Sequence, residues 1–298
     1  MAETEYVLGT NDEEVCRLEL QHKVWRERML DCWHRAGIGP GQSVIDLGCG
    51  PGFASLDLAK IVGPAGQVKA YERSERFLSY LAAKSQEQGI DNIERIAVDF
   101  DCDEFPVGTA DAVWCRWVLS FVSKPEALVE SLSKAIRPGG VAIFHEYLNY
   151  ATWQLLPGQA GFNRFVEAVM SSWRTGGGDP DIGLRLPSML HHSGFEVIHA
   201  SPIIDVVSPS DFTWRWPEAF LKTNAKRLVE LGELNTSVAD AASAEFDAVK
   251  AMPAGRMVTP MVLEVIVRRP LSISKSASQF SKNGGSMEMK QAVGPHQQ

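Results

Sequence analysis

The chain has 298 residues, 45% of them hydrophobic and 22% charged, with a net charge of −8. That length supports one substantial core with chain left over for a cap. No apolar run approaches the ~20 residues that cross a bilayer, and the short basic clusters lack the stripe that grips a nucleic-acid backbone. Five cysteines (Cys16, Cys32, Cys49, Cys102, Cys115) form no CxxC pair, so neither a disulfide framework nor a zinc ribbon is expected. The acidic start Met1-Ala2-Glu3-Thr4-Glu5 has no apolar signal stretch, and a cytoplasmic location is expected.

In chain order, residues 12–36 predict an amphipathic helix, with Val15, Leu18, Val24 or Trp25, Met29 and Trp33 recurring at three- and four-residue steps. Asn11 and Glu14 have the spacing of a reciprocal capping pair, and Gly37-Ile38-Gly39-Pro40-Gly41 ends the helix. Strands are expected at Ser43–Leu47, Gln67–Tyr71, Ile93–Val98, Ala110–Cys115 and Val141–His145, with helices over 53–62, 74–88 and 125–136. That rhythm implies parallel strands joined by right-handed crossovers. Phe195–Val207 and Met257–Arg268 add two β segments. Tyr147–Arg174 and Trp214–Ala251 read as helical insertions, the first followed by Gly176-Gly177-Gly178. Six serines in 272–286 mark a tail too polar to bury itself.

The first strand runs into Asp46-Leu47-Gly48-Cys49-Gly50-Pro51-Gly52 before the chain resumes as a helix at Phe53. Alternate glycines there let the backbone turn sharply and approach a ligand closely, at the carboxyl end of a strand, where open α/β sheets bind nucleotides. Glu72 stands 20 positions after Gly52, a distance that suits a carboxylate accepting from ribose hydroxyls.

The string D-L-G-C-G-P-G resembles motif I of class I S-adenosylmethionine-dependent methyltransferases. The resemblance continues through Glu72, Val98-Asp99-Phe100, Asp111-Ala112-Val113-Trp114 and Ile136-Arg137-Pro138-Gly139-Gly140, covering roughly residues 40–150. It implies an α/β, Rossmann-like fold: a seven-stranded, mostly parallel sheet with helical cap insertions, its last strand antiparallel. The expected division is residues 1–42 as a helical lid, 43–146 as the cofactor-binding core, 147–194 as cap insertion and helix, 195–270 as C-terminal strands with a helical insertion, and 271–298 as a disordered tail. It also implies S-adenosyl-L-methionine as cofactor and a small molecule as methyl acceptor, with neither nucleic acid nor metal; a homo-oligomer stays open.

By the same resemblance Asp46 supports the turn, Gly48, Cys49, Gly50 and Gly52 line the methionine and ribose portions, and Glu72 holds the ribose. Arg73, Asp99 and Phe100 border the adenine, and Arg116 and Trp117 lie by the methionine. The leading helix folds over the cofactor, putting Tyr6, Gln21, His22 and Trp25 in range. At the end of the fifth strand His145, Glu146 and Tyr147 are candidates for a general base. Tyr6, Trp25, Tyr150, Trp153 and Trp173 are candidate acceptor contacts, the last three able with Tyr147 to form an apolar box whose π faces stabilise a developing cation. His191-His192 has no third ligand at metal-site spacing. The fourth strand lacks the Pro-Pro string of amino-methylating DNA enzymes, paired glutamates of protein arginine methyltransferases are absent, and so is the Pro-Cys nucleophile of RNA cytosine enzymes. What is left is similar to the small-molecule methyltransferases of ubiquinone/menaquinone synthesis and natural-product tailoring. Transfer to carbon or oxygen of an aromatic, prenylated or terpenoid acceptor is expected. The alternatives are transfer to a small amine, with Glu146 and Asp179 or Asp181 lining its pocket, and a cofactor-binding protein without catalysis.

Overall fold

The structure, a computed structural model, describes residues 10–101 and 110–271. Tyr6, Cys102 and the serine-rich tail lie outside the described residues. Ten strands and eight α-helices follow one another within them, beginning with α1 (Asp12–Arg35), β1 (Ser43–Leu47), α2 (Phe53–Val62), β2 (Gln67–Glu72), α3 (Glu75–Glu87) and β3 (Ile93–Ala97). Next come β4 (Ala110–Arg116), α4 (Pro125–Ala135) and β5 (Ile136–Asn149). The main sheet has the order β3-β2-β1-β4-β5-β10-β7, with β7 at Glu196–Ile203 and β10 at Met261–Arg268. β10 runs antiparallel to both its neighbours, and the β1, β2, β3, β4 and β5 pairings are parallel.

The central strand β1 is buried from Val44 to Leu47, as expected of a strand covered by helices on both faces. On the edge strand β7 no residue is buried, in keeping with its place at the sheet's end. α3 starts on Ser74, whose hydroxyl accepts from the Phe77 amide, and α4 starts with Pro125 in its first turn. Asn11 caps α1 by accepting from the Glu14 amide. The reciprocal arm is missing, because the Glu14 carboxylate turns along the helix to Arg17.

β5 is longer than the expected 141–145. Its start is held by the pairing of Ile136 with Ala110, and its end follows β10 as far as the Asn149–Met261 pair. The expected boundary at 146/147 therefore falls inside a continuous strand. Phe195–Val207 and Met257–Arg268 each break into two strands. The short pieces β8 (Val206–Val207) and β9 (Arg256–Val258) join β6 (Gln154–Leu156) in a small antiparallel sheet. Both breaks occur at one place, where Asp205 and Thr259 exchange hydrogen bonds through their backbones and the Thr259 hydroxyl.

The small sheet, α5 (Ala160–Thr175), α7 (Arg215–Glu230) and α8 (Thr236–Ala251) pack around Trp153, Phe162, Trp214 and Phe246 to make a cap. α1 packs against α7 on one side and α2 on the other, so it roofs the carboxyl edge of the sheet. Among the described residues no helix is long and apolar enough to cross a membrane.

Candidate active site

At that edge lies a cleft of about 1220 Å³ including its mouth, bounded by the glycine-rich loop, α1, the ends of β2 and β4, and the cap. Gly48 and Gly52 both have positive φ, at 63° and 84°. A Cβ would run into Val118 at the first and Leu81 at the second, so conformation and space both require glycine. Beneath the loop Asp46 accepts a 2.5 Å hydrogen bond from Ser55 Oγ. Burial raises Asp46 to about 6, as expected for a carboxylate withdrawn from water.

Glu72 accepts from the Gly50 amide at 2.9 Å and the Ser74 amide at 3.0 Å. Burial pushes its pKa up. The Arg73 backbone adds a further hydrogen bond to the same carboxylate. Asp99 accepts from the Asp101 amide at 3.0 Å, and Asp101 in turn holds Ser123. Asp46, Gly48, Cys49, Gly50, Glu72 and Arg73 all line the cleft, as do Asp99, Phe100, Arg116 and Trp117. Gly52 does not; it serves the turn. Arg116, half-buried in the cleft wall, is lowered to about 10 by desolvation, and its guanidinium sits 5.3 Å from the centre of the Trp117 ring.

The other half of the cleft is aromatic. Trp117, with φ 54°, is the one non-glycine residue with positive φ among the described residues. Its indole stacks between Tyr147 at 5.4 Å and Trp216 at 5.5 Å. Tyr147 meets Trp173 at 5.5 Å, and Trp173 meets Phe220 at 6.2 Å. From α1 come Arg17, Gln21 and His22. His22 Nε2 lies 3.1 Å from Asp57, while its buried Nδ1 has no partner among the described residues. Desolvation lowers its pKa, which favours the neutral ring.

Three candidate bases part company here. Tyr147 faces the cleft, but His145 and Glu146 are not among its lining residues. Pleating sends Glu146 to the opposite face of β5. There its carboxylate accepts from the amides of Val118, Leu119 and Ser120 and from the Ser120 hydroxyl. His145 shares a face with Tyr147 but lies a step back, covered by Trp25 and Trp114. Its Nε2 is 3.0 Å from Glu264, which also takes a 2.6 Å bond from Arg35.

Cys32, His145 and Glu264 bring their donor atoms within 4.8 Å of one another. A metal-bound imidazole ordinarily passes its other N–H to an acceptor, and His145 Nδ1 has none among the described residues. The trio is a hydrogen-bonded tie between α1 and the sheet.

Of the candidate acceptor contacts among the described residues, only Trp173 lines the cleft. Trp25 packs edge-on against Trp117 and Trp216, and Tyr150 and Trp153 fill the cap core. Neither Asp179 nor Asp181 lines it: they bond Arg185 and Arg174. Arg17 and Phe220 escaped the sequence reading. The three-residue spacing of Glu14 and Arg17 was an available signal for the first, and nothing local marks the second.

Residues 44–140 match the family described as methyltransferase domain. Over that stretch the chain is similar to methyltransferase domains. Among curated proteins, this chain is 28% identical over 127 residues to the ubiquinone/menaquinone biosynthesis C-methyltransferase of Escherichia fergusonii, covering 42% of this chain and 49% of that one. To the demethylmenaquinone methyltransferase of Lactococcus lactis it is 31% identical, covering 40% and 46%. The chain spans about half the length of these relatives. A putative methyltransferase from Bacillus halodurans matches in structure with TM-score 0.55 and 15% identity, over 81% of this chain and 98% of that one; at that identity the likeness concerns the fold. The matched stretch covers the glycine loop, Glu72, Asp99 and Arg116, while the cap that supplies Trp173 and Phe220 lies beyond it.

Proposed function

We propose that this protein transfers a methyl group from S-adenosylmethionine to carbon or oxygen of a small, largely apolar acceptor. The observation that carries the reading is the division of one cleft into two halves. One half presents the glycine loop, Glu72 and Asp99; the other presents stacked aromatic rings and no carboxylate from the cap. In this reading Glu72 takes the ribose hydroxyls, Asp99 and the Phe100 amide the adenine, and Arg116 lies by the methionine tail. Arg73 borders the adenine, and the amides and carbonyls of Gly48, Cys49 and Gly50 follow the cofactor's length.

The sulfonium is already an activated methyl donor when bound. What the protein adds is alignment and exclusion of water, which can lower a barrier by ~7–11 kcal/mol. Trp117, Tyr147 and Trp173 form an apolar wall against which a planar acceptor lies flat, and α1 roofs it. Tyr147 is the one cleft-facing member of the three candidate bases, and its hydroxyl can relay an acceptor proton.

Transfer to an amine is the weaker reading, because the carboxylates it would use are spent elsewhere: Glu146 on five donors behind β5, the Cys115 thiol among them, and Asp179 and Asp181 on arginines. The test is calorimetric titration with S-adenosylmethionine and S-adenosylhomocysteine, then turnover on matched phenols, quinols and amines. Micromolar binding of both cofactor forms with methylation of phenols or quinols is expected. No cofactor binding by folded protein refutes the reading, and methylation confined to amines overturns its acceptor half.

A further inference from the structure

Gln21 sits on the roof helix, one turn after Arg17 and one turn before Trp25, so the three share a face of α1. Arg17 projects over the Phe220 ring at 5.7 Å, and Trp25 meets Trp117 edge-on at 5.1 Å. Gln21 therefore hangs between two rings of the cleft's aromatic half, and it lines the cleft.

Its orientation is dictated by two residues behind it. Glu14, wholly buried, holds the Arg17 guanidinium with bonds of 2.7 Å to Nε and 2.6 Å to Nη2. Arg17 Nη1 then donates at 3.0 Å to Gln21 Oε1. A guanidinium has donors only, so the atom that meets it must be the amide oxygen. The amide nitrogen is thereby turned away from Arg17, carrying two N–H donors. It bonds no protein acceptor among the described residues, and it is not among the sealed, unpartnered polar atoms of the interior. That donor opens onto the cleft, where a ligand oxygen can take the place of water.

Building on the methyl-transfer reading, we propose that Gln21 is a specificity residue: its amide donates a hydrogen bond to a carbonyl or phenolate oxygen carried by the planar acceptor. Glu14 and Arg17 are positioning residues for it. The triad neutralises its own charges, so it offers directed N–H groups rather than net charge. An oxygen with lone pairs in the ring plane satisfies them; an ammonium group presents donor to donor and is rejected. A site built to hydrogen-bond discriminates strongly against an analogue lacking the partner atom.

The test uses the full chain saturated with S-adenosylhomocysteine and reads quenching of tryptophan fluorescence by 1,4-naphthoquinone, 1-naphtholate and naphthalene. In the parent protein the two oxygen-bearing probes bind more tightly than naphthalene. Gln21→Leu weakens both about tenfold, the scale of one lost hydrogen bond, and leaves naphthalene and S-adenosylhomocysteine within twofold. Gln21→Glu keeps the side chain's shape and its bond to Arg17 while turning an acceptor on the probe; it loses the same two probes selectively, and it carries the test should the leucine variant fail to fold. Glu14→Gln shows a smaller loss of the same selectivity. Equal losses for quinone and naphthalene, no loss for either, or parent protein that binds naphthalene as tightly as the quinone overturns the proposal. Loss of S-adenosylhomocysteine affinity in Gln21→Leu makes Gln21 a cofactor contact and overturns it as well. If the parent protein fails to bind S-adenosylhomocysteine at all, it is the methyl-transfer reading that falls.

Discussion

Replacing Glu146 by Gln separates two readings of the same residue. If the carboxylate takes a proton from the acceptor, the variant folds and binds cofactor as before and loses only turnover. The structure predicts otherwise. The side chain is fully buried and receives Val118 N at 2.8 Å, Leu119 N at 2.9 Å, Ser120 N at 3.3 Å and Ser120 Oγ at 2.8 Å. A glutamine oxygen keeps the pair on Oε1, but its NH2 then confronts the Ser120 amide, leaving one buried donor unmet at ~1–3 kcal/mol. Burial already pushes Glu146 upward in pKa, so removing the charge returns part of that cost. At ~2–4 °C per kcal/mol for a chain of this size, the melting temperature should drop by roughly 2–12 °C. Glu146→Ala strands three amides and should cost roughly 3–6 kcal/mol. Because the freed segment carries Trp117 and Val118, affinity for an aromatic probe should fall along with stability. Calorimetric melting and S-adenosylhomocysteine titration of both variants settle it: parental stability and cofactor affinity with abolished turnover would refute the structural role.

Glu72→Ala should weaken S-adenosylmethionine at least tenfold, since a bond to a charged group is worth ~1.5–3 kcal/mol; unchanged affinity by calorimetry removes the ribose assignment. Trp117→Gly relieves about 1 kcal/mol of left-handed backbone strain but forfeits a buried indole worth ~3–5 kcal/mol, so urea denaturation should show a net loss of about 2–4 kcal/mol, and a gain would contradict the stacked role. The histidine contribution to stability should be lost as pH drops through about 6.5. Burial lowers both His22 and His145, so the unfolded chain takes up two protons that the folded one refuses, while the buried carboxylates Asp46, Glu72 and Glu146, all raised, shift stability the opposite way. His145→Gln should flatten that slope, and an unchanged slope would mean His145 is not held neutral. Glu264, held at about 2, adds a further loss as pH falls from about 4.5.

The core of the fold was legible because its signals are local. Glycine at 48 and 52 answers to φ and to the space beside Val118 and Leu81, and alternation of apolar runs with helical spacing marks β1 to β5 within a residue or two, apart from the ends of β5. Those ends were hidden because β10, more than a hundred residues later, decides how far β5 extends. The same non-local packing decided the site. Pleating alone puts His145 and Tyr147 on one face of β5 and Glu146 on the other, yet it does not say where along that face the sheet stops being covered. The rotation of α1 does: Cys32 and Arg35 come down on the Glu264 that holds His145, Trp25 seals the ring, and Tyr147 is left just past the seal. On that same side of α1, Arg17, Gln21 and His22 reach the cleft, while Trp25, one turn beyond Gln21, ends against Trp117 and Trp216. An amphipathic pattern gives a helix an inner face some 100° wide, and both sets fit within such a stripe. Only the Glu14–Arg17–Gln21 chain of bonds distinguishes a residue that packs from one that presents a donor, and that chain exists because Asn11, by capping the helix alone, leaves Glu14 free to reach Arg17.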